Sequence, residues 1–113
     1  RDLILNAEDI GRTNVHVPQW GVELEIRTLS AFQRSQMLRV CSLGDGTVDL
    51  DRLYPMLIVA TAFDPSTGEA VFTQDDLEML QGKSASAVEF VAQKAMEMSG
   101  MTAKAVDEEG KDN

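Results

Sequence analysis

Leu50-Asp51-Arg52-Leu53-Tyr54-Pro55-Met56-Leu57-Ile58-Val59-Ala60-Thr61-Ala62-Phe63 is the stretch on which the fold turns. Leu50, Leu53, Tyr54, Leu57 and Thr61 recur at the i, i+3, i+4, i+7 spacing of one helical face. Met56, Ile58, Val59, Ala62 and Phe63 occupy the other sides, so the segment is apolar all round and belongs inside its own domain. Its uninterrupted part, Leu53–Phe63, is far shorter than the roughly 20 residues a bilayer span needs. Residues 50–63 therefore form the expected central buried helix. Asp49 or Asp51 can cap it, and Pro55 is tolerable in its first turn or else marks a kink.

Working outward, Val15 and Val17 alternate with Asn14 and His16, and Val22, Leu24 and Ile26 alternate with Glu23, Glu25 and Arg27. Two period-two runs either side of Pro18-Gln19-Trp20-Gly21 predict a hairpin with one buried face. Pro18 sets φ in the turn, Gly21 is free to take φ > 0, and Trp20 folds back onto the apolar face. Leu3-Ile4-Leu5 is a short apolar run, read as a strand. Ser30-Ala31-Phe32-Gln33 has the capping-box form and starts a helix carrying Phe32, Met37, Leu38, Val40 and Cys41, which ends before Gly44-Asp45-Gly46.

Beyond the central helix, Asp64-Pro65 and Thr67-Gly68 are turn chemistry, and Val71-Phe72 returns an extended piece to the core. Thr73 caps a brief helix anchored by Leu77 and Leu80, with Asp75, Asp76 and Glu78 favourably placed at its N-terminus. Ser84 or Ser86 caps the last helix, Ser86-x-x-Glu89 having the capping-box spacing. Its inward stripe is Val88, Val91, Ala92, Ala95 and Met98. Phe90 and Met101 fall off that stripe and are expected to face solvent in a monomer. The architecture is α+β and predominantly α-helical: an N-terminal β-hairpin followed by about four helices. Residues 1–100 form one globular domain, and the acidic, apolar-poor segment 101–113 is expected to be a disordered tail.

Composition narrows the function. The chain has 113 residues, 43% of them hydrophobic, enough for one cored domain. Its net charge is −9, which disfavours nucleic acid and anionic membranes as partners. The single cysteine, Cys41, cannot form an internal disulfide and fits a reducing compartment. No signal peptide is expected, since the first residues lack a basic segment followed by a long apolar run. His16 is the only histidine, on the polar side of a strand, so no multi-His metal site or His-based acid/base pair can be assembled in one chain. Cys41 has no nearby histidine or lysine in sequence to activate it and reads as an inert packed thiol. Gly82-Lys83-Ser84 lacks the first glycine and the preceding strand of a phosphate loop. Asp45-Gly46-Thr47-Val48-Asp49-Leu50-Asp51 lacks the ligand spacing of a calcium loop. Neither cofactor nor metal is expected, and the chain reads as a non-enzyme.

Residues 15–34, Val-His-Val-Pro-Gln-Trp-Gly-Val-Glu-Leu-Glu-Ile-Arg-Thr-Leu-Ser-Ala-Phe-Gln-Arg, resemble the N-terminal signature of the tail assembly chaperones of long-tailed, lambda-like bacteriophages. Val15, Val17, Pro18, Trp20, Gly21, Arg27, Leu29, Ser30, Gln33 and Arg34 carry the resemblance. Val22, where the family often has a second glycine, and Gln33, where it often has glutamate, depart mildly from it. Thr73-Gln74-Asp75-Asp76-Leu77 extends the likeness toward the last helix. The resemblance implies a binding protein that coats the tape-measure protein, keeps it soluble during tail assembly in the cytoplasm of the infected host, oligomerises, and is absent from the mature virion. It also implies a longer form made by −1 frameshifting, whose extension recruits tail-tube protein; Gly110-Lys111 is a dipeptide that a slippery heptamer can encode, and Gly82-Lys83 is equally permissive. The alternative is a permanent neck or tail-terminator subunit. Charge suggests where contacts fall: Arg27, Arg34 and Arg39 lie around the strand-to-helix junction, and residues 64–80 hold Asp75 and Asp76 with no Lys or Arg. Head-to-tail association would set one against the other and close into rings or open spirals. Trp20, Phe90 and Met101 are the apolar candidates for the same interactions.

Overall fold

The computed structural model describes residues 1–101. Strands β1 (Arg12–Val17) and β2 (Val22–Arg27) form the expected antiparallel hairpin, with Val17 opposite Val22, Val15 opposite Leu24 and Thr13 opposite Ile26. These pairs share a face, on which Val17, Leu24 and Ile26 are buried and Val15 is half-buried. Asn14 and His16 look the other way, opposite Glu25 and Glu23. The Trp20 and Gly21 N–H groups both donate to the Val17 carbonyl, at 3.1 and 2.9 Å, closing a four-residue loop with Gly21 at φ +64°.

Upstream, Leu3-Ile4-Leu5 is not a strand. It belongs to a single helical turn, α1 (Asp2–Leu5), closed by local bonds from the Ile4 and Leu5 N–H groups to the Arg1 carbonyl. Its Ile4 and Leu5 N–H groups are taken by these local bonds, so the segment does not add to the outer edge of β1.

Helix α2 (Ala31–Val40) starts as read: the Gln33 N–H donates to Ser30 Oγ, and the Ser30 N–H donates to Gln33 Oε1. The central helix α3 (Leu50–Thr61) is capped by Asp49, whose carboxylate accepts from the Asp51 N–H. Leu53, Leu57, Ile58 and Thr61 are fully buried, and α2, β2 and the two helices that follow in the chain all pack on this helix. Pro55 lies in its second turn, beyond the tolerated N-terminal position. A proline there cannot donate to the carbonyl of Asp51. That carbonyl instead accepts from Gln81 Nε2 at 3.2 Å, so a side chain from the neighbouring helix replaces the missing backbone donor.

The helical reading of residues 50–63 runs two residues too far. Ala62 and Phe63 leave the helix as β3 (Ala62–Phe63), pairing antiparallel with Ile26 and Glu25 of β2. Pro65 disfavours helix immediately before it, and the free edge of β2 supplies the alternative ladder. The chain then makes an excursion in which the Asp64 carboxylate accepts from the Ser66 N–H and hydroxyl. It returns with the Val71 N–H on the Ala62 carbonyl.

A 3-10 turn (Gln74–Asp76) leads into α4 (Leu77–Gln81), the Asp76 carboxylate taking the Thr73 N–H at 2.8 Å. The last helix, α5 (Ala85–Met98), begins after Ser84. The Ser86–Glu89 capping box does not form, since Ser86 is already inside the helix. At the other end, Gly100 takes φ +71°, its N–H reaches the Glu97 carbonyl, and the Met101 N–H reaches the Met96 carbonyl at 2.7 Å. This is a complete Schellman cap, which places an apolar residue after the glycine against the helix. Met101 is 2% exposed. Its expected solvent-facing position is therefore corrected, and the ordered chain includes it. The disorder expected after it concerns residues 102–113, which lie outside the described residues.

Candidate protein-interaction surfaces

Helices α4 and α5 both pack on α3 but join through a short turn at Gly82, and between their ends and the first turns of α3 a groove remains open. Its floor is apolar, built from Leu50, Tyr54 and Pro55 of α3, Leu80 of α4 and Val88 of α5, with Ala85 at the entrance to α5. Asp51, Gln81, Lys83 and Glu89 form the rim. The cavity holds about 580 Å³. The bond from Gln81 to the Asp51 carbonyl ties α4 to α3 beside the Pro55 break, so the groove wall is held by the same contact that repairs the helix.

A second apolar surface lies on α2. Met37, Leu38 and Cys41 face the core, and Arg34 shares their side, half-buried. Phe32, Gln36, Arg39 and Val40 recur at i, i+4, i+7, i+8 on the opposite side and are exposed, Phe32 by 71%. The helix thus carries large apolar groups on both faces, only one of which its own domain covers. Leu3, Ile4 and Leu5 of α1 add a third exposed apolar group.

The three arginines expected at the strand-to-helix junction have different surroundings. Arg27 is committed within the chain: Nε donates to Glu25 Oε1 at 2.6 Å, Nη2 to the Gly68 carbonyl at 3.1 Å, and the guanidinium lies 3.9 Å from the Phe63 ring centroid. It ties the 64–69 excursion to the sheet. Arg34 is on the inward side of α2, and Arg39 on the outward side. Of the acidic pair, Asp75 is exposed and Asp76 serves the turn that starts α4. Trp20 is half-buried edge-to-face against Phe72, with centroids 6.5 Å apart, as its position in the turn predicts. Phe90 is half-buried and packs against the core, with Lys94 Nζ 6.0 Å from its ring, so it too is less open than its sequence position suggests.

The groups considered for chemistry take structural positions. His16 is exposed on the outer face of the hairpin. Burial pushes the Cys41 thiol up to about 11, with Arg52 lowering and Asp49 raising it more weakly, so the thiolate is disfavoured near neutral pH. Asp45 and Asp64 sit below the usual carboxylate range because Thr47 and Ser66 donate side-chain and backbone hydrogen bonds to them. Among the described residues no group of three or more His, Cys, Asp or Glu is placed to hold a metal ion. No described helix is long and apolar enough to cross a membrane.

Neither the groove nor the outer face of α2 was singled out from sequence. The α2 face was legible in principle, because Phe32 and Val40 stand off the Met37, Leu38, Cys41 side at helical spacing. The groove depends on where α4 and α5 separate, which no local pattern encodes.

No protein-family model matches the chain, and no curated protein does. Among solved structures, the chain is similar to the bacteriophage HK97 tail assembly chaperone, with a TM-score of 0.63 at 16% identity, over 86% of this chain and 94% of that one. The helix-dominated α+β fold described above is therefore the fold seen in the HK97 tail assembly chaperone.

Proposed function

We propose that this chain is a phage tail assembly chaperone: a binding protein without catalytic chemistry that holds the tape-measure protein soluble and promotes tail-tube assembly. The observation that carries this reading is the shared fold with the HK97 chaperone across nearly all of its length. The residues that carry the sequence resemblance also build its distinctive start, since Val15–Gly21 make the end of β1 and the hairpin loop, and Ser30–Gln33 make the capping box. A coating protein needs uncovered apolar area, and this small domain leaves the outer face of α2 and α1 uncovered. The chaperone works in the host cytoplasm, self-associates, and leaves the tail before it matures. A frameshifted longer form then recruits tail-tube protein.

Co-expression with the tape-measure protein encoded by the same phage tests this reading. The tape measure should be insoluble alone and soluble, in a multi-subunit complex, when this chain is present. A tape measure whose solubility is indifferent to this chain would overturn the proposal. Incorporation of the chain into finished particles would point to a permanent structural subunit instead.

A further inference from the structure

We infer that the α1 segment of one copy of this chain seats Leu3-Ile4-Leu5 on the outer face of α2 of a second copy. This rests on the chaperone reading and gives its self-association a contact. Two apolar patches lie open on one molecule, and neither covers the other: Leu3 is 91% exposed and Phe32 71%, with Ile4, Leu5 and Val40 exposed beside them. Patches of large uncovered apolar groups mark sites of protein contact. Residues 1–10 are exposed throughout. The segment is fixed to the domain at Gly11, whose N–H donates to Thr28 Oγ1 and whose carbonyl accepts from the Thr28 N–H, both at 2.9 Å. Burial in its own domain thus contributes little to α1, and a single helical turn is not stable alone. A cover that buries its apolar side chains also holds its shape.

Charge names the occupant. From Ile26 to Gly44 the chain has no Asp or Glu, and its charged residues are Arg27, Arg34 and Arg39. Arg39 is exposed beside Val40 on the outer face of α2 and has no ion pair among the described residues. Residues 1–11 hold three carboxylates, Asp2, Glu8 and Asp9, against one arginine. An apolar cluster flanked by carboxylates therefore meets an apolar face flanked by a cation. The net charge of −9 repels a second copy at long range. At physiological ionic strength charges more than about 8 Å apart are largely screened, so the pairing at the contact decides.

The two patches differ, so the contact is heterologous, and each copy keeps one patch free for the next. A one-turn segment on one helix face falls below the roughly 1,200 Å² of stable interfaces, which makes the isolated pair weak.

Sedimentation velocity of the full chain, over a concentration series at fixed salt, reads the contact. Wild type should grow from monomer into a ladder of larger species. Leu3→Ser with Ile4→Ser, and separately Phe32→Ser with Val40→Ser, should each weaken association at least about tenfold. All four positions are exposed, so thermal unfolding should be retained. Mixing the two double variants should give a pair that stops at two, since the first still offers its α2 face and the second its α1. Arg39→Glu should weaken association by about threefold or more.

A wild-type chain still monomeric at about 1 mM overturns the assignment. So does a ladder indifferent to either double variant or to Arg39→Glu, or a mixture that fails to pair. Loss with Asp75→Lys but not with Leu3→Ser and Ile4→Ser also overturns it, and would put the acidic segment 64–80 in place of α1. The two readings fail separately. A monomeric chain that still solubilises the tape measure keeps the chaperone role and loses this contact. A chain that pairs α1 to α2 yet leaves the tape measure insoluble does the reverse.

Discussion

Truncating Leu57 tests whether α3 is the hub of the domain. Leu57 is fully buried in the middle of that helix, with α2, α4, α5 and β2 packed around it. Leu57→Ala deletes three carbon atoms, worth ~2.4 kcal/mol at the usual value per buried methylene. Close packing on every side prevents full collapse, so a cavity penalty adds to this and brings the expected cost to about 3–4 kcal/mol. For a domain of this size that lowers the melting temperature by roughly 15 °C or more. Leu50 is the internal control: same helix, same substitution, but 44% exposed at the groove entrance, where Leu50→Ala should cost less than about 1 kcal/mol. Urea unfolding followed by Trp20 fluorescence reads both, because the indole packs on Phe72 and is released on unfolding. A cost below about 1 kcal/mol for Leu57→Ala, or equal costs at the two positions, would refute the assignment of α3 as the hub.

The Schellman cap makes Met101 part of the core, so Met101→Ala should destabilise by about 2–3 kcal/mol, where a solvent-facing methionine would cost almost nothing. Gly100→Val, at φ +71°, should cost about 1–2 kcal/mol in the same urea assay. Ser30→Ala removes the acceptor for the Gln33 N–H and should cost about 1 kcal/mol, much of it retained by Ser30→Asp. The raised Cys41 pKa means that the folded state holds its thiol proton where the unfolded state has lost it. Its contribution is complete below the ordinary thiol range and is lost as pH climbs to about 11, so stability should fall across that interval in wild type more steeply than in Cys41→Ala. Alkylation by iodoacetamide at pH 8 should correspondingly be slow until urea is added.

Much of this architecture is written locally. The hairpin is legible because the period-two pattern stops at Pro18 and resumes at Val22, leaving a loop whose Gly21 supplies the one positive φ. The start of α2 is legible because Ser30 and Gln33 satisfy each other without help from elsewhere. What escapes is decided by partners distant in sequence. Ala62 and Phe63 look like the end of an apolar helix, and only the free edge of β2 makes them a strand. Pro55 looks like a helix breaker, and only Gln81, from another helix, lets it sit in the second turn. Leu3-Ile4-Leu5 has strand composition, but its Ile4 and Leu5 N–H groups close a helical turn on Arg1 instead of pairing with the outer edge of β1. Met101 is a different case, since Gly100 followed by an apolar residue after a helix is a readable capping signal.

The candidate surfaces were partly legible. Arg27, Arg34 and Arg39 are neighbours in sequence, but Arg34 and Arg39 lie on opposite sides of α2 and Arg27 is drawn onto Phe63 and Gly68 by a strand pairing that the local pattern did not reveal. The groove arises from the geometry of three helices around Pro55. Leu50, Tyr54, Leu80 and Val88 of its lining were visible on apolar stripes, whereas the place of Pro55 was not.

Quantitative mass spectrometry of tail-assembly intermediates and of finished phage particles tests the central claim most directly. A chaperone that coats the tape measure should be present in many copies per tape measure in the intermediates, and absent from purified virions. Retention of the chain in virions at a fixed copy number would contradict the account.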